Sequence, residues 1–187
     1  IFIFMTLKIG VFLGSKKGIN LKNLKLINKF SDFFLPGKFE LIFGGSETGL
    51  MKELAKKISR KNCKITSVFT KDLYDEAPLN NFFSELIITK DLEARNSVFV
   101  EKSDVFVALP GGIGTLHEII TILNQNILKE INKKIFLVND TFFWEPLNYL
   151  LQKLIDEKFL SKSSLDNFKI CNLSELMKEL ENLNAKN

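Results

Sequence analysis

The chain has 187 residues, 45% of them hydrophobic and 26% charged, enough for one domain with a sizeable core. Its formal net charge of +4 is modest and its lysines are spread along the chain as a solvated surface, which argues against a polyanion-binding face. Two distant cysteines, Cys63 and Cys171, and a single histidine, His117, exclude a disulfide scaffold and a Cys/His metal centre, and point to a cytoplasmic protein with reduced thiols.

The first ten residues are apolar but show no basic leader and no small-residue cleavage pattern, and no run is long enough to span a bilayer. Met5 is a candidate start. Leu7 to Leu13 reads as a strand ending at the turn Gly14–Gly18. Leu21, Leu24, Ile27 and Phe30 or Phe33 recur at helical spacing until Pro36-Gly37 stops them. Phe39 to Phe43 is a second strand; Gly44–Gly49 is a second glycine turn, and a helix from Gly49 to Arg60 buries Leu50, Leu54 and Ile58. Lys64 to Thr70 is β-branched and reads as a strand, and Lys71 to Asn81, with Pro78, reads as a loop. Leu86 to Thr89 is a short strand, and Asp91 caps a helix through Lys102. Val105 to Leu109 is five consecutive apolar residues, as in a parallel strand covered on both faces. Gly114 to Asn126 is a helix and Lys134 to Val138 a strand. A helix over Pro146 to Lys158 carries Leu147, Leu150, Leu151, Leu154 and Ile155; Phe168 to Cys171 is the last strand and Ser174 to Leu183 the last helix. Strand and helix alternate almost strictly. The expected fold is α/β, a Rossmann-like three-layer sandwich with a mostly parallel central sheet, as one nucleotide-binding domain over residues 1–187.

Three glycine turns, after Leu13, Phe43 and Leu109, fall at strand carboxyl ends, where such folds bind ligands. The third, Pro110-Gly-Gly-Ile-Gly-Thr115, is the most specific. Its glycines clear side chains from a helix N-terminus, so backbone N–H groups can approach a phosphate. Thr115 adds a hydroxyl donor or caps the helix. No Lys follows the last glycine as in a Walker A loop, and the spacing is not that of the dinucleotide fingerprint. A nucleoside monophosphate or a sugar phosphate fits better. Glu118 lies one helical turn on, either facing the anion site or complementing the helix dipole. His117 is on a different face. Gly44-Gly45 reads either as a tight strand–helix connection or as a second anion turn. Arg95 suits bidentate recognition of phosphate or the holding of a carboxylate.

Pro110-Gly-Gly-Ile-Gly-Thr-Leu-His-Glu118 matches P-G-G-x-G-T-x-x-E at every specified position, with Arg95 at the corresponding distance before it. Together with Leu41-Ile-Phe-Gly-Gly-Ser-Glu-Thr-Gly-Leu-Met51 and Val11-Phe-Leu-Gly-Ser15, these residues resemble the LOG family, the cytokinin riboside 5′-monophosphate phosphoribohydrolases once mislabelled lysine decarboxylases. The resemblance implies hydrolysis of the N-glycosidic bond of a nucleoside 5′-monophosphate to free base and ribose 5-phosphate. It implies a homodimer and no metal; no other cofactor is expected, and the dispersed lysines and the lack of a spanning run argue against a nucleic-acid or membrane partner. By the same resemblance Arg95 and Glu118 are catalytic, and Gly45, Leu92, Asn96, Gly111, Gly112, Ile113, Gly114 and Thr115 bind substrate or phosphate. The chain departs from the pattern at Leu92, Glu93, Asn96, Phe99, Ser46 and Asn124-Gln125, which leaves AMP and an N6-prenylated relative as alternative substrates. A non-catalytic nucleotide or cofactor carrier on the same fold is the competing reading.

Overall fold

The computed structural model describes residues 6–76 and 82–185; Met5 and the Pro78 segment of the expected loop lie outside them. The elements in order are β1 (Leu7–Phe12), α1 (Lys22–Phe33), β2 (Phe39–Phe43), α2 (Gly49–Ser59), β3 (Ile65–Thr70), α3 (Lys71–Glu76) and β4 (Glu85–Thr89). Then follow α4 (Leu92–Lys102), β5 (Val105–Ala108), α5 (Ile113–Ile127), β6 (Ile135–Val138), α6 (Glu145–Asp156), a 3-10 turn (Lys162–Leu165), β7 (Phe168–Cys171) and α7 (Leu173–Asn184). The strands form one sheet in the order β4-β3-β2-β1-β5-β6-β7, and every neighbouring pair is parallel.

The sheet is parallel because each strand is followed by a helix that carries the chain back. β5 and β6 are buried at every position, as their unbroken apolar runs predict for strands covered on both faces. On one face Leu26, Ile27 and Phe30 of α1, Leu50, Leu54 and Ile58 of α2, and Leu176 and Leu180 of α7 pack against Ile9, Val11 and Val107. On the other, Phe99 of α4, Ile119 and Ile122 of α5, and Leu147 and Leu151 of α6 pack against Phe12, Phe106 and Leu137. Phe12 anchors that second layer, stacked on Phe106 and edge-on to Phe99, each with ring centroids 5.3 Å apart.

One expectation is corrected. Lys71 to Glu76 forms the short helix α3 and not a loop; the Leu73 N–H donates to Oγ1 of Thr70 at 3.4 Å, so Thr70 starts the turn as a cap. Leu150 is on the solvent side of α6, 52% exposed, while Leu147 and Leu151 face the core. Elsewhere helix ends agree to within a residue or two, and Asp91 caps α4 by accepting from the Ala94 N–H at 2.7 Å.

β1 and β5 are neighbours, yet the chain leaves β1 through α1 on one face and β5 through α5 on the other. Among the described residues a cavity opens at the carboxyl ends of the strands where the two helices part. That switch point is where this architecture opens a ligand crevice.

Candidate active site

All three glycine turns meet at that crevice. The Gly14 N–H donates to the Pro110 carbonyl at 3.1 Å, and the Leu50 and Met51 N–H groups donate to the Gly14 carbonyl at 3.1 and 3.3 Å. Thr48 Oγ1 donates to the Ser15 carbonyl at 2.7 Å. The Leu50 and Met51 N–H groups at the start of α2 are therefore spent in tying the turns together, while Gly44, Ser46 and Thr48 of the Gly44–Gly49 turn line the crevice. α5 differs. Its N-cap is Gly112, no side chain caps its first turn, and Ile113 there is 82% exposed. Thr115 does not act as the cap. It is buried under the turn, where a Cβ on Gly111 would collide with its side chain. The uncapped N–H groups face a cavity of about 730 Å³ bounded by Gly111 to Thr115, Glu118, Arg95, Gly44 and Phe69.

Glu118 and Arg95 form the one buried ion pair among the described residues, each 7% exposed. Arg95 Nη1 donates to Glu118 Oε1 at 3.0 Å and its Nε donates to the Val68 carbonyl at 2.9 Å. Its guanidinium carbon stands 5.0 Å from the centre of the Phe99 ring. Gly44 makes room for this arrangement, because a Cβ there would stand 2.5 Å from Arg95 Nη2. Burial pushes the Glu118 carboxyl up from the ordinary glutamate range; the Arg95 guanidinium opposes that push without cancelling it. The result is a buried carboxyl group held by a fixed cation, one helical turn beyond the uncapped N-terminus of α5.

The structure thus brings Arg95, Glu118, Gly111, Gly112, Ile113, Gly114 and Thr115 to one cavity. Gly45, Leu92 and Asn96 are not among its lining residues. Gly45 seats the Phe69 ring, which a Cβ there would strike, and so reaches the cavity through Phe69. Leu92 is 53% exposed at the start of α4, and Asn96 is half-buried beside Arg95. His117 is exposed. Sequence reasoning missed Lys16, Lys17 and Asn23 from the first turn and α1, and Phe143 from the connection before α6, all of which line the cavity. The Gly14–Gly18 turn was the available signal for the first three. A smaller hollow of about 490 Å³ lies between α6 and β7, beside Asn139, Glu145 and Lys169. Among the described residues no three His, Cys, Asp or Glu side chains cluster to hold a metal ion, and no helix is long and apolar enough to cross a membrane.

The sequence profile of the family described as "Possible lysine decarboxylase" matches residues 51–180. Among characterised proteins, a cytokinin riboside 5′-monophosphate phosphoribohydrolase of Rhodococcoides fascians is 27% identical over 165 residues, covering 87% of this chain and 83% of that one. One of Arabidopsis thaliana is 25% identical over 175 residues, covering 93% and 77%. Among solved structures, the molybdenum cofactor carrier protein of Chlamydomonas reinhardtii superposes with a TM-score of 0.70 at 19% identity, over 96% of this chain and 99% of that one. The molybdenum cofactor binding protein of Rippkaea orientalis gives 0.64 at 21% identity, over 95% and 96%. At these identities the structural likeness speaks for the fold.

Proposed function

This chain belongs to the family described as possible lysine decarboxylases, and from that premise we propose that it is a phosphoribohydrolase of nucleoside 5′-monophosphates, AMP or an N6-prenylated relative. The observation that carries the reading is the buried Arg95–Glu118 pair at 3.0 Å, set one turn beyond an uncapped glycine helix N-terminus. A carrier needs the cradle. It does not need two charges withdrawn from water, which costs several kcal/mol per ion before their attraction is counted.

In this reading residues 1–187 act as one nucleotide-binding domain. The backbone N–H groups of Gly112 to Thr115 hold the 5′-phosphate, which fixes the ribose against Glu118. Breaking the glycosidic bond develops positive charge on the sugar ring, and the Glu118 carboxylate stabilises it. Water adds its hydroxyl to the anomeric carbon and a proton goes to the departing base. Arg95 positions Glu118 and favours its ionised form. The reading places the protein in the cytoplasm as a homodimer. Exposed Leu92 on α4 and Ile113 and Ile120 on α5 support the dimer, because the site helices carry uncovered apolar side chains.

The test is to offer purified protein AMP and N6-prenylated AMP and to follow free base by chromatography. Glu118→Gln keeps the hydrogen bond to Arg95 and removes the charge, so turnover should fall by about 10²–10⁴ while nucleotide binding persists. Base release from no nucleotide, with binding intact, would establish the carrier reading instead. Undiminished turnover in Glu118→Gln would remove that residue from the chemistry.

A further inference from the structure

The lysines that are scattered along the sequence are not scattered over the fold. Residues 16–61 hold 11 Lys and Arg against 4 Asp and Glu, a surplus larger than the whole chain's +4, so the rest of the chain is net negative. Charge gathered in this way on one part of a domain is the footprint of an anionic partner.

These residues build one surface. α1 and α2 lie side by side in the same helical layer: Lys17 Nζ pairs with Glu53 at 3.0 Å at one end, and Lys61 Nζ donates to the Asp32 carbonyl at 2.7 Å at the other. α1 buries Leu26, Ile27 and Phe30 and turns Lys22, Lys25 and Lys29 to solvent. α2 buries Leu50, Leu54 and Ile58, and Lys52, Lys56 and Arg60 recur at every fourth position on its other side. None of these six cations has a carboxylate partner among the described residues, whereas Lys134, Lys153 and Lys169 further along the chain each have one. Just ahead of α1, the turn that carries Lys16 and Lys17 leads into two uncovered aliphatic side chains: Ile19 is wholly exposed and Leu21 is 77% exposed.

The composition of this face selects the partner. Protein interfaces are enriched in Arg and aromatic residues and depleted in Lys. Single-stranded nucleic acid is held by aromatic side chains set among cations. This face is Lys with a single Arg, and it exposes no large aromatic ring. Lysines around an aliphatic tip suit an anionic bilayer surface instead: each lysine near the headgroups adds attraction, and the aliphatic side chains enter the boundary between headgroup and acyl chain. The face lies in the helical layer opposite α4 and α5, so a dimer formed through those helices leaves it open.

We propose that the α1–α2 face, with Ile19 and Leu21 at its tip, docks the protein peripherally on an anionic phospholipid surface. This does not rest on the hydrolase reading. The Gly14–Gly18 turn lines the crevice, so a docked molecule holds one wall of its crevice close to the headgroups. Flotation of the purified protein with vesicles tests the docking. Vesicles of equimolar phosphatidylcholine and phosphatidylglycerol should carry the protein and vesicles of phosphatidylcholine alone should not. Binding should fall steeply at about 1 M salt, where the screening length is about 3 Å. Lys22→Gln, Lys25→Gln and Lys29→Gln together should weaken it on the order of a hundredfold, and Ile19→Ser with Leu21→Ser by about tenfold or more. None of these five residues lines the crevice or belongs to the core, so circular dichroism should be unchanged. Taking three charges from around α6 instead, with Lys153→Gln, Lys158→Gln and Lys162→Gln, should change binding by less than about twofold. Failure of the wild type to float with the anionic vesicles, or equal flotation with the neutral ones, overturns the proposal. An equal loss from the α6 triple variant does so too, because net charge alone would then explain the attraction. A labelled single-stranded oligonucleotide, followed by fluorescence anisotropy, covers the other polyanion. If the α1 triple variant loses the oligonucleotide while the serine pair floats like wild type, the face serves nucleic acid and the lipid proposal falls.

Discussion

Replacing Arg95 by Met removes the guanidinium and keeps most of the side-chain volume. It deletes the donor to Glu118 at 3.0 Å and the donor to the Val68 carbonyl at 2.9 Å. At 3.0 Å and an effective dielectric of about 20, the lost attraction is at most about 5.5 kcal/mol. Removing one partner of a buried pair costs about 3–5 kcal/mol, so Arg95→Met should lose that much stability where Glu118 would otherwise be charged. The pH dependence has a definite sign. Burial already holds the Glu118 carboxyl above its ordinary range, and Arg95 is what opposes it. Without Arg95 the folded protein keeps the Glu118 proton to higher pH than the unfolded chain does. The folded state then binds more protons, and its stability falls as pH rises above the ordinary glutamate value, about 4.3. Urea unfolding of wild type and variant should therefore show the larger deficit at about pH 8 and a smaller one at about pH 5. The acid limb of any base-release profile should move upward. A deficit that is the same at both pH values would refute the reasoning, because it would mean that Arg95 contributes packing and not charge.

Two further outcomes follow from the same geometry. Gly44→Ala puts a Cβ 2.5 Å from Arg95 Nη2, and should cut turnover by about tenfold or more while leaving the fold intact; circular dichroism and a rate assay separate the two effects. The Cys171 thiol is pushed up to about 11 by burial, and burial also raises that of Cys63, so neither should be alkylated by iodoacetamide near pH 8 until the protein is unfolded, as read by mass spectrometry.

Much of the fold was legible because local pattern and global packing agree. Val105 to Leu109 is apolar throughout because both faces are covered, and Asp91 announces α4 because an aspartate at that position accepts from the first-turn N–H of Ala94. α3 was not legible: four of the six residues after Thr70 are charged and look like a loop, and the Thr70 hydroxyl accepting from the Leu73 N–H marks the start of the helix. The glycine cradle and Glu118 were readable from spacing, since helical periodicity places a residue one turn beyond the N-terminus on the same side. The direction of Arg95 was not, for α4 is largely polar and its buried face is narrow. Leu92 and Asn96, neighbours of Arg95 in sequence, are not among the residues that line the cavity. Lys16 and Asn23 reach the cavity through the switch point, a property of strand order, and the Gly14–Gly18 turn was their one signal in the sequence.

That strand order also imposes a schedule on the chain. β1 sits at the centre of the sheet, with Ile9 paired to Leu41 on one side and to Val105 on the other. As the protein emerges from the ribosome, β1 and β2 can pair early, but the other edge of β1 stays open until everything through α4 has been made. An unpaired apolar strand edge is a template for wrong pairing. Each new copy must carry that exposed edge for about half of its synthesis, and docking β5 closes the edge and brings the glycine turn to the site in the same event. A truncation that ends before Val105 should therefore be an aggregating fragment, and not a smaller version of the same protein.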